Sequence, residues 1–266
     1  MDRSYLFAPG HSDKLLGKVF DAGADAVILD LEDAVPPEHK SAARRRVAET
    51  VVSHRAWVRI NTAKTELAAA DLAAVGENAY GIRIPKVESV EDVRWVACRA
   101  PGKPLLCAIE TAKGLVNAVS IAAEPHVRHL ALGGIDLRRD LGLGSDDAAL
   151  NYARSHLVVA SRAAGIGPPI DSVYPHLGDD AGLLRQCTLT RSLGLFGKSA
   201  IHPGQLATIH DAFSPTPEEL QWARNVIDAF DAASGAATRL PDGEFVDLPV
   251  AERARALLRR AESVPT

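Results

Sequence analysis

The chain has 266 residues, 47% of them hydrophobic, and 30 Lys and Arg set against 34 Asp and Glu give a net charge of −4. That composition supports one large core, or one core with a small appendage. The interspersed charges leave no basic stripe for nucleic acid, and no apolar run is long enough for a membrane span. The N-terminal MDRSYLFAPG lacks the regions of a secretory signal, and Cys98, Cys107 and Cys187 have neither CxxC nor zinc-ligand spacing, so a cytoplasmic protein with small buried thiols is expected.

SYLFAP is the first short apolar run bounded by turn signals, and SDKLLGKVFDAG behind it has helical spacing. DAVILDLE and the helical HKSAARRRVAETV come next, then AWVRIN, then GIRIPK with SVEDVRWVACRA. PLLCAIE is followed by VNAVSIAAEP, HLALGGID by LNYARSHLVVASRAAG, PPIDSVYP by DAGLLRQCTLTRSLG, and LFGKSAIHP closes the series. Several of the helical stretches end in Gly, as a C-cap would. Eight strands alternating with helices over roughly 200 residues predict an α/β fold, a (β/α)8 TIM barrel over residues 1–203. A doubly wound open sheet is the competing arrangement, but no GxGxxG follows the first strand.

Residues 204–266 form a separate small segment. Thr216 with Glu219 is a capping box opening SPTPEELQWARNVIDAF, LPDGEF is a turn, and VAERARALLRRA is a basic amphipathic helix. It can serve as a helical lid over the barrel mouth, as a packing element or as an oligomer interface.

Side-chain alternation groups Ile28, Asp30 and Glu32 on one face of the second strand, Trp57, Arg59 and Asn61 on the third, Leu106, Ala108 and Glu110 on the fifth, and Leu130, Leu132, Gly134 and Asp136 on the sixth. Each strand turns polar at its C-terminal end, where barrel enzymes carry their chemistry. Glu110 and Asp136 could supply two hard oxygen ligands, a set that suits Mg2+ completed by water and a chelating substrate and that Mn2+ would also accept. Arg59 has the fork to hold a carboxylate or an enolate oxygen, and Lys86 adds positive charge or neutralises the acidic cluster. A 2-keto or 2-hydroxy acid on a Lewis-acidic metal points to carbon–carbon bond chemistry, with hydrolysis still open.

YLFAPG, VILDLEDAV followed by Lys40 and Arg44, WVRIN, IPKVES, AIETAKGL, LGGIDLRRDLG and AIHPGQL together resemble the citrate lyase β-subunit-like (CitE-like) family of CoA-ester lyases, within the HpcH/HpaI aldolase superfamily. The likeness runs over nearly the whole chain, in the family's order and spacing. It implies a TIM barrel with a C-terminal helical lid, Mg2+ held by Glu110 and Asp136, and Arg59 on the substrate. It also implies reversible cleavage of a 3-hydroxyacyl-CoA to an acyl-CoA and a small 2-keto acid. Asp247 in EFVDLPV falls where related lyases place an acidic lid residue over a neighbour's metal, making it the candidate proton shuttle and a homotrimer or hexamer the expected form. Glu32 and Asp33 would orient metal-bound water. Lys40, Arg44 and Arg45 are either an exposed helix face or phosphate contacts for the CoA nucleotide, and Lys86 joins Lys40 and Arg44 as a candidate cofactor-binding residue. Asp30 reads as a cap or loop ion pair, and His202 as a residue fixing its loop.

Two departures bear on the substrate. GHSDK stands where many relatives read GNRPE or DRPE, leaving His11 or Lys14 to compensate, and Ile135 precedes Asp136 as in stand-alone members. Malyl-CoA, citramalyl-CoA and related thioesters fit this pattern better than a citryl carrier protein. The competing readings are a metal-dependent aldolase on a free hydroxy-keto acid relying on His11, a malyl-CoA thioesterase, a citrate lyase β subunit, and a non-catalytic CoA-binding protein.

Overall fold

A computed structural model describes residues 1–263. The chain divides into two compact units, Asp2–Ala212 and a C-terminal unit from Phe213 onward. Residues 204–212, expected from the sequence to open the appendage, thus fold with the first unit.

The first unit is built on seven parallel strands: β1 (Ser4–Pro9), β2 (Ala26–Asp30), β3 (Trp57–Arg59), β4 (Gly81–Ile84), β5 (Leu105–Ile109), β6 (Val127–Leu132) and β7 (Lys198–Ala200), in the order β6-β5-β4-β3-β2-β1-β7. Of the eight expected strands, PPIDSVYP forms only single bridges, Ala131 to Ile170 and Asp171 to Lys198. Those bridges join the two edges of the curled sheet. They close it as a TIM-barrel-like ring and leave no long unpaired edge.

Helices α1 (Asp13–Val19), α2 (Lys40–Ser53), α3 (Glu66–Val75), α4 (Val90–Ala97), α5 (Ala112–Val116), α6 (Ala118–Ala122), α7 (Gly134–Leu141), α8 (Asn151–Ala163), α9 (Asp180–Ser192) and α10 (Leu206–Phe213) alternate with the strands. Ser12, Thr65, Ser89, Thr111 and Asp179 start five of them by accepting a backbone N–H, and Ser89 with Asp92 makes a full capping box.

Both faces of the strands are buried, which is why they read as continuous apolar runs. Tyr5, Ile28, Trp57, Leu106, Ala131 and Ile170 fill the ring's interior. Gly81 is required there, because a Cβ would lie 2.5 Å from the Trp57 ring. Cys107 and Cys187 are buried as expected, whereas Cys98 is exposed: it caps the C-terminal end of α4, beyond that helix's apolar face.

The C-terminal unit pairs α11 (Pro217–Ala232) with α12 (Leu248–Ser263) through a hairpin of β8 (Thr238–Arg239) and β9 (Phe245–Val246). The capping box of Thr216 and Glu219 opens α11, and Ala223, Val226, Phe230, Leu240, Val246, Ala251 and Ala254 form its core. No helix among the described residues is long and apolar enough to cross a membrane.

Candidate active site

The C-terminal ends of β2, β3, β4 and β5 surround a cavity of about 380 Å³, walled by Phe7, Asp30, Asp33, Arg59, Arg83, Glu110 and Asp136 among others. Asp30 and Arg59 are direct partners on adjacent strands. Arg59 donates from Nε to Asp30 Oδ1 at 2.7 Å and from Nη2 to Oδ2 at 2.6 Å. Asp30 also accepts the backbone N–H groups of Glu32 and Ala34, which bends the chain after β2. Burial works against a charged Asp30, but the Arg59 bonds outweigh it and hold the carboxyl below the usual carboxylate range. Burial likewise opposes the charge on Arg59, and the same bonds, with Glu32 and Glu110 nearby, keep the guanidinium firmly protonated.

Glu32 Oε1 accepts a hydrogen bond from Lys86 Nζ at 2.6 Å, while its Oε2 lies 3.0 Å from Arg59 Nη1 as an ion pair without a hydrogen bond. Its burial still raises its carboxyl above the ordinary value against the pull of those cations. Lys86 also reaches the half-exposed Asp33 at 3.2 Å, and its backbone is left-handed, φ 51°. It therefore ties the acidic loop together, the neutralising role the sequence allowed.

Glu110, just past β5, is 4% exposed, and its Oε2 has no hydrogen-bond partner. Burial first, then the charges of Glu32 and Asp136, push its carboxyl up to about 7, although Arg83 and Arg59 pull the other way. The glycine at 133 makes room for it: a Cβ there would sit 2.2 Å from Glu110 Cγ. Asp136 pairs with Arg139 at 2.8 Å.

The sequence placed Asp136 on the inward face of the sixth strand with Leu130 and Leu132. The strand instead ends at Leu132, and Asp136 rides on the first turn of α7. Two-residue alternation stops with the strand, so its parity could not carry to position 136. Ala131, not Leu130, joins the interior cluster.

The residues suit a divalent cation. A buried carboxylate with an unsatisfied oxygen faces the cavity beside a second carboxylate, an all-oxygen donor set. Among the described residues no group of three or more His, Cys, Asp or Glu forms a closed cage. Two carboxylates alone would leave positions for water and substrate, as Mg2+ usually has.

Lys40 and Arg44 are engaged inside the molecule. Lys40 Nζ donates to the carbonyls of Leu31 and Glu32 and to Asn61 Oδ1, at 2.7, 2.6 and 2.7 Å. These use all the donors an ammonium has. Arg44 Nε binds Asp71, which also takes the N–H and Nδ2 of Asn61. Both side chains thus lock the loops after β2 and β3, and Lys40 keeps no donor for a phosphate in this arrangement. His11 stacks on His39 and is not in the cavity wall; His202 Nδ1 accepts the Gly204 N–H and fixes its own loop. Asp247 stands in the C-terminal unit, where it caps α12 through the Val250 N–H.

Asp30 and Arg83 are site residues the sequence did not single out for chemistry. Asp30 was legible in retrospect, as the in-register neighbour of Arg59; Arg83 was hidden inside the apolar run GIRI.

The HpcH/HpaI aldolase/citrate lyase family model matches residues 3–203. A (3S)-malyl-CoA thioesterase of Cereibacter sphaeroides is 38% identical over 98% of this chain and 95% of its own. The human mitochondrial citramalyl-CoA lyase is 32% identical over 98% of this chain and 86% of its own. Among solved structures, CitE of Mycobacterium tuberculosis, in complex with magnesium, acetoacetate and coenzyme A, superposes with a TM-score of 0.86 at 32% identity, covering 98% of both chains.

Proposed function

The chain belongs to the HpcH/HpaI aldolase/citrate lyase family, and from that premise we propose a Mg2+-dependent lyase acting on a 3-hydroxyacyl-CoA thioester of the malyl-CoA or citramalyl-CoA type. It would release acetyl-CoA or propionyl-CoA and a 2-keto acid, reversibly. The observation that carries this reading is the unsatisfied Oε2 of Glu110, buried beside Asp136 and Arg59 in the cavity wall.

Glu110 and Asp136 would hold the cation. Bound there, Mg2+ supplies Lewis acidity toward the oxygens of the keto-acid half. Glu32 and Asp33 orient water at that position, and Lys86 holds these two carboxylates in place. Arg59, fixed by Asp30, presents its remaining N–H groups to the oxygen on which negative charge develops. In the cleavage direction the C3 hydroxyl would pass its proton through the oriented water to the Glu32 and Asp33 carboxylates, the C3–O bond would become the keto-acid carbonyl as the C2–C3 bond breaks, and the electron pair would pass into the thioester enolate. Asp247 of a neighbouring copy then delivers a proton to the α-carbon, so a trimer or hexamer completes the site. Lys40 and Arg44 shape the loops at the cavity mouth.

The malyl-CoA thioesterase relative favours a second reading, in which water attacks the thioester and releases free CoA. One experiment separates the two. The protein is incubated with Mg2+ and a panel of hydroxyacyl-CoA thioesters, with Glu110→Ala and Asp136→Ala as controls, and products are followed by mass spectrometry. A shortened acyl-CoA with a 2-keto acid is the expected result. Free CoA with an intact hydroxy acid would establish the thioesterase, and no turnover would overturn both.

A further inference from the structure

Arg83 is a buried cation that no carboxylate among the described residues pairs with directly. It is 4% exposed, its Nε and Nη1 have no hydrogen-bond partner, and among the described residues it makes no ion pair. Register makes the situation worse, because Arg83 is the direct β4 partner of Arg59 on β3. The two guanidiniums lie 5.0 Å (Arg59) and 5.1 Å (Arg83) from the centre of the Phe7 ring. Like charges opposite one another on neighbouring strands destabilise a sheet. An unpaired buried charge is costly in its own right.

The two arginines differ in what they have left to offer. Arg59 is hydrogen-bonded to Asp30 through Nε and Nη2 and is ion-paired with Glu32 through Nη1, so its charge is matched by two carboxylates. Arg83 has one N–H on Nε and two on Nη1 without partners, out of the five a guanidinium carries. Glu110 attracts it electrostatically without bonding to it, and a cation on Glu110 would take up that carboxylate's charge. On the interior side, the Trp57 ring occupies the space a side chain at Gly81 would fill, so the barrel below is closed. The open side of Arg83 is the cavity whose wall it forms.

We infer that Arg83 is a substrate-binding residue, a carboxylate receptor at the inner end of the cavity that pairs with the carboxylate of a small 2-keto acid and selects anionic over neutral acyl acceptors. This rests on the cavity being the keto-acid site proposed above. It deepens that reading by assigning the anion to Arg83, since Arg59 is already clamped.

The test is a binding measurement, so it does not depend on turnover. Pyruvate and its uncharged analogue methyl pyruvate are titrated calorimetrically into the full-length protein saturated with Mg2+, for the wild type, Arg83→Met and Arg83→Lys. Arg83→Met should weaken pyruvate by about tenfold to a hundredfold, the range of a lost charge-assisted bond, and leave methyl pyruvate and Mg2+ affinity within about threefold. Arg83→Lys, which keeps the charge and loses the fork, should fall between and serves if the Met variant does not fold. Pyruvate affinity in the variants within about twofold of wild type, or equal losses for both ligands, overturns the inference; so does a wild type that binds no pyruvate. A protein that turns over no thioester yet binds pyruvate through Arg83 would defeat the lyase reading and leave this one standing.

Discussion

Asp30 holds Arg59 by two short parallel hydrogen bonds between adjacent strands, in register and with Asp30 almost wholly buried. The carboxylate serves two elements at once, since it also accepts the Glu32 and Ala34 N–H groups that turn the chain toward the acidic loop. Asp30→Asn keeps the shape and removes the charge. Breaking a buried pair from one side costs about 3 kcal/mol or more, so calorimetry should show a lower Tm, and activity should fall at least tenfold as Arg59 loses its orientation. Because Asp30 is held below its ordinary value, the stability it adds is present above the unfolded carboxyl pKa and disappears as pH falls through the folded one. The acid limb of stability in Asp30→Asn should therefore be shallower than in wild type; matching acid limbs would refute the pairing.

Glu110 predicts the opposite pH slope in metal-free protein. Its folded value of about 7 lies above the ordinary 4.5, so the folded chain binds this proton more tightly than the unfolded chain. Stability from this group is complete below about pH 4.5 and declines as pH rises to about 7, by about 3 kcal/mol in all. Thermal melts in chelator across that window should show the decline, and Glu110→Gln should flatten it. Saturating Mg2+ should reverse the trend, because the ionised carboxylate is then neutralised where it stands. A flat profile in chelated wild type would mean that Glu110 is better solvated than its surroundings indicate.

Barrel class, strand order and the polar ends of the strands were readable because both faces of each parallel strand are buried and each strand meets the cavity at the same end. Arg59 and Glu110 lie within or one residue beyond a strand, and alternation located them. Asp136 was identified by residue type and misplaced by element, since the strand period ends at Leu132 and a helix begins at Gly134. Lys40 and Arg44 illustrate another limit. Sequence shows a basic helix start, whereas their partners Asn61 and Asp71 come from the following strand end and helix, contacts that spacing does not encode. Arg83 could not be read at all, because a charge within an apolar run carries no sign of whether the fold provides its counter-ion.

Lys40 offers a test of loop anchoring against phosphate binding. Lys40→Met would strand two carbonyls and Asn61 Oδ1, at a cost of about 1–3 kcal/mol. The variant should melt earlier while its preference for CoA over 3′-dephospho-CoA stays as in wild type. A variant with unchanged Tm and a lost preference would make Lys40 a nucleotide contact.

Gly133 is the sharpest steric constraint on the cavity. With φ −95° its backbone accommodates an L side chain, so the glycine is not needed for conformation. What it provides is space, since an Ala Cβ would stand 2.2 Å from Glu110 Cγ and 2.8 Å from Oε1. The obstruction is a side chain, so Gly133→Ala should fold with a modest change in Tm and swing the Glu110 carboxylate away from Asp136. Mg2+ affinity by calorimetry should drop at least tenfold, and turnover should fall with it and recover only partly at high Mg2+. A folded Gly133→Ala protein with wild-type Mg2+ affinity would show that the cation does not depend on Glu110 as positioned here, and would move the metal site elsewhere in the barrel mouth.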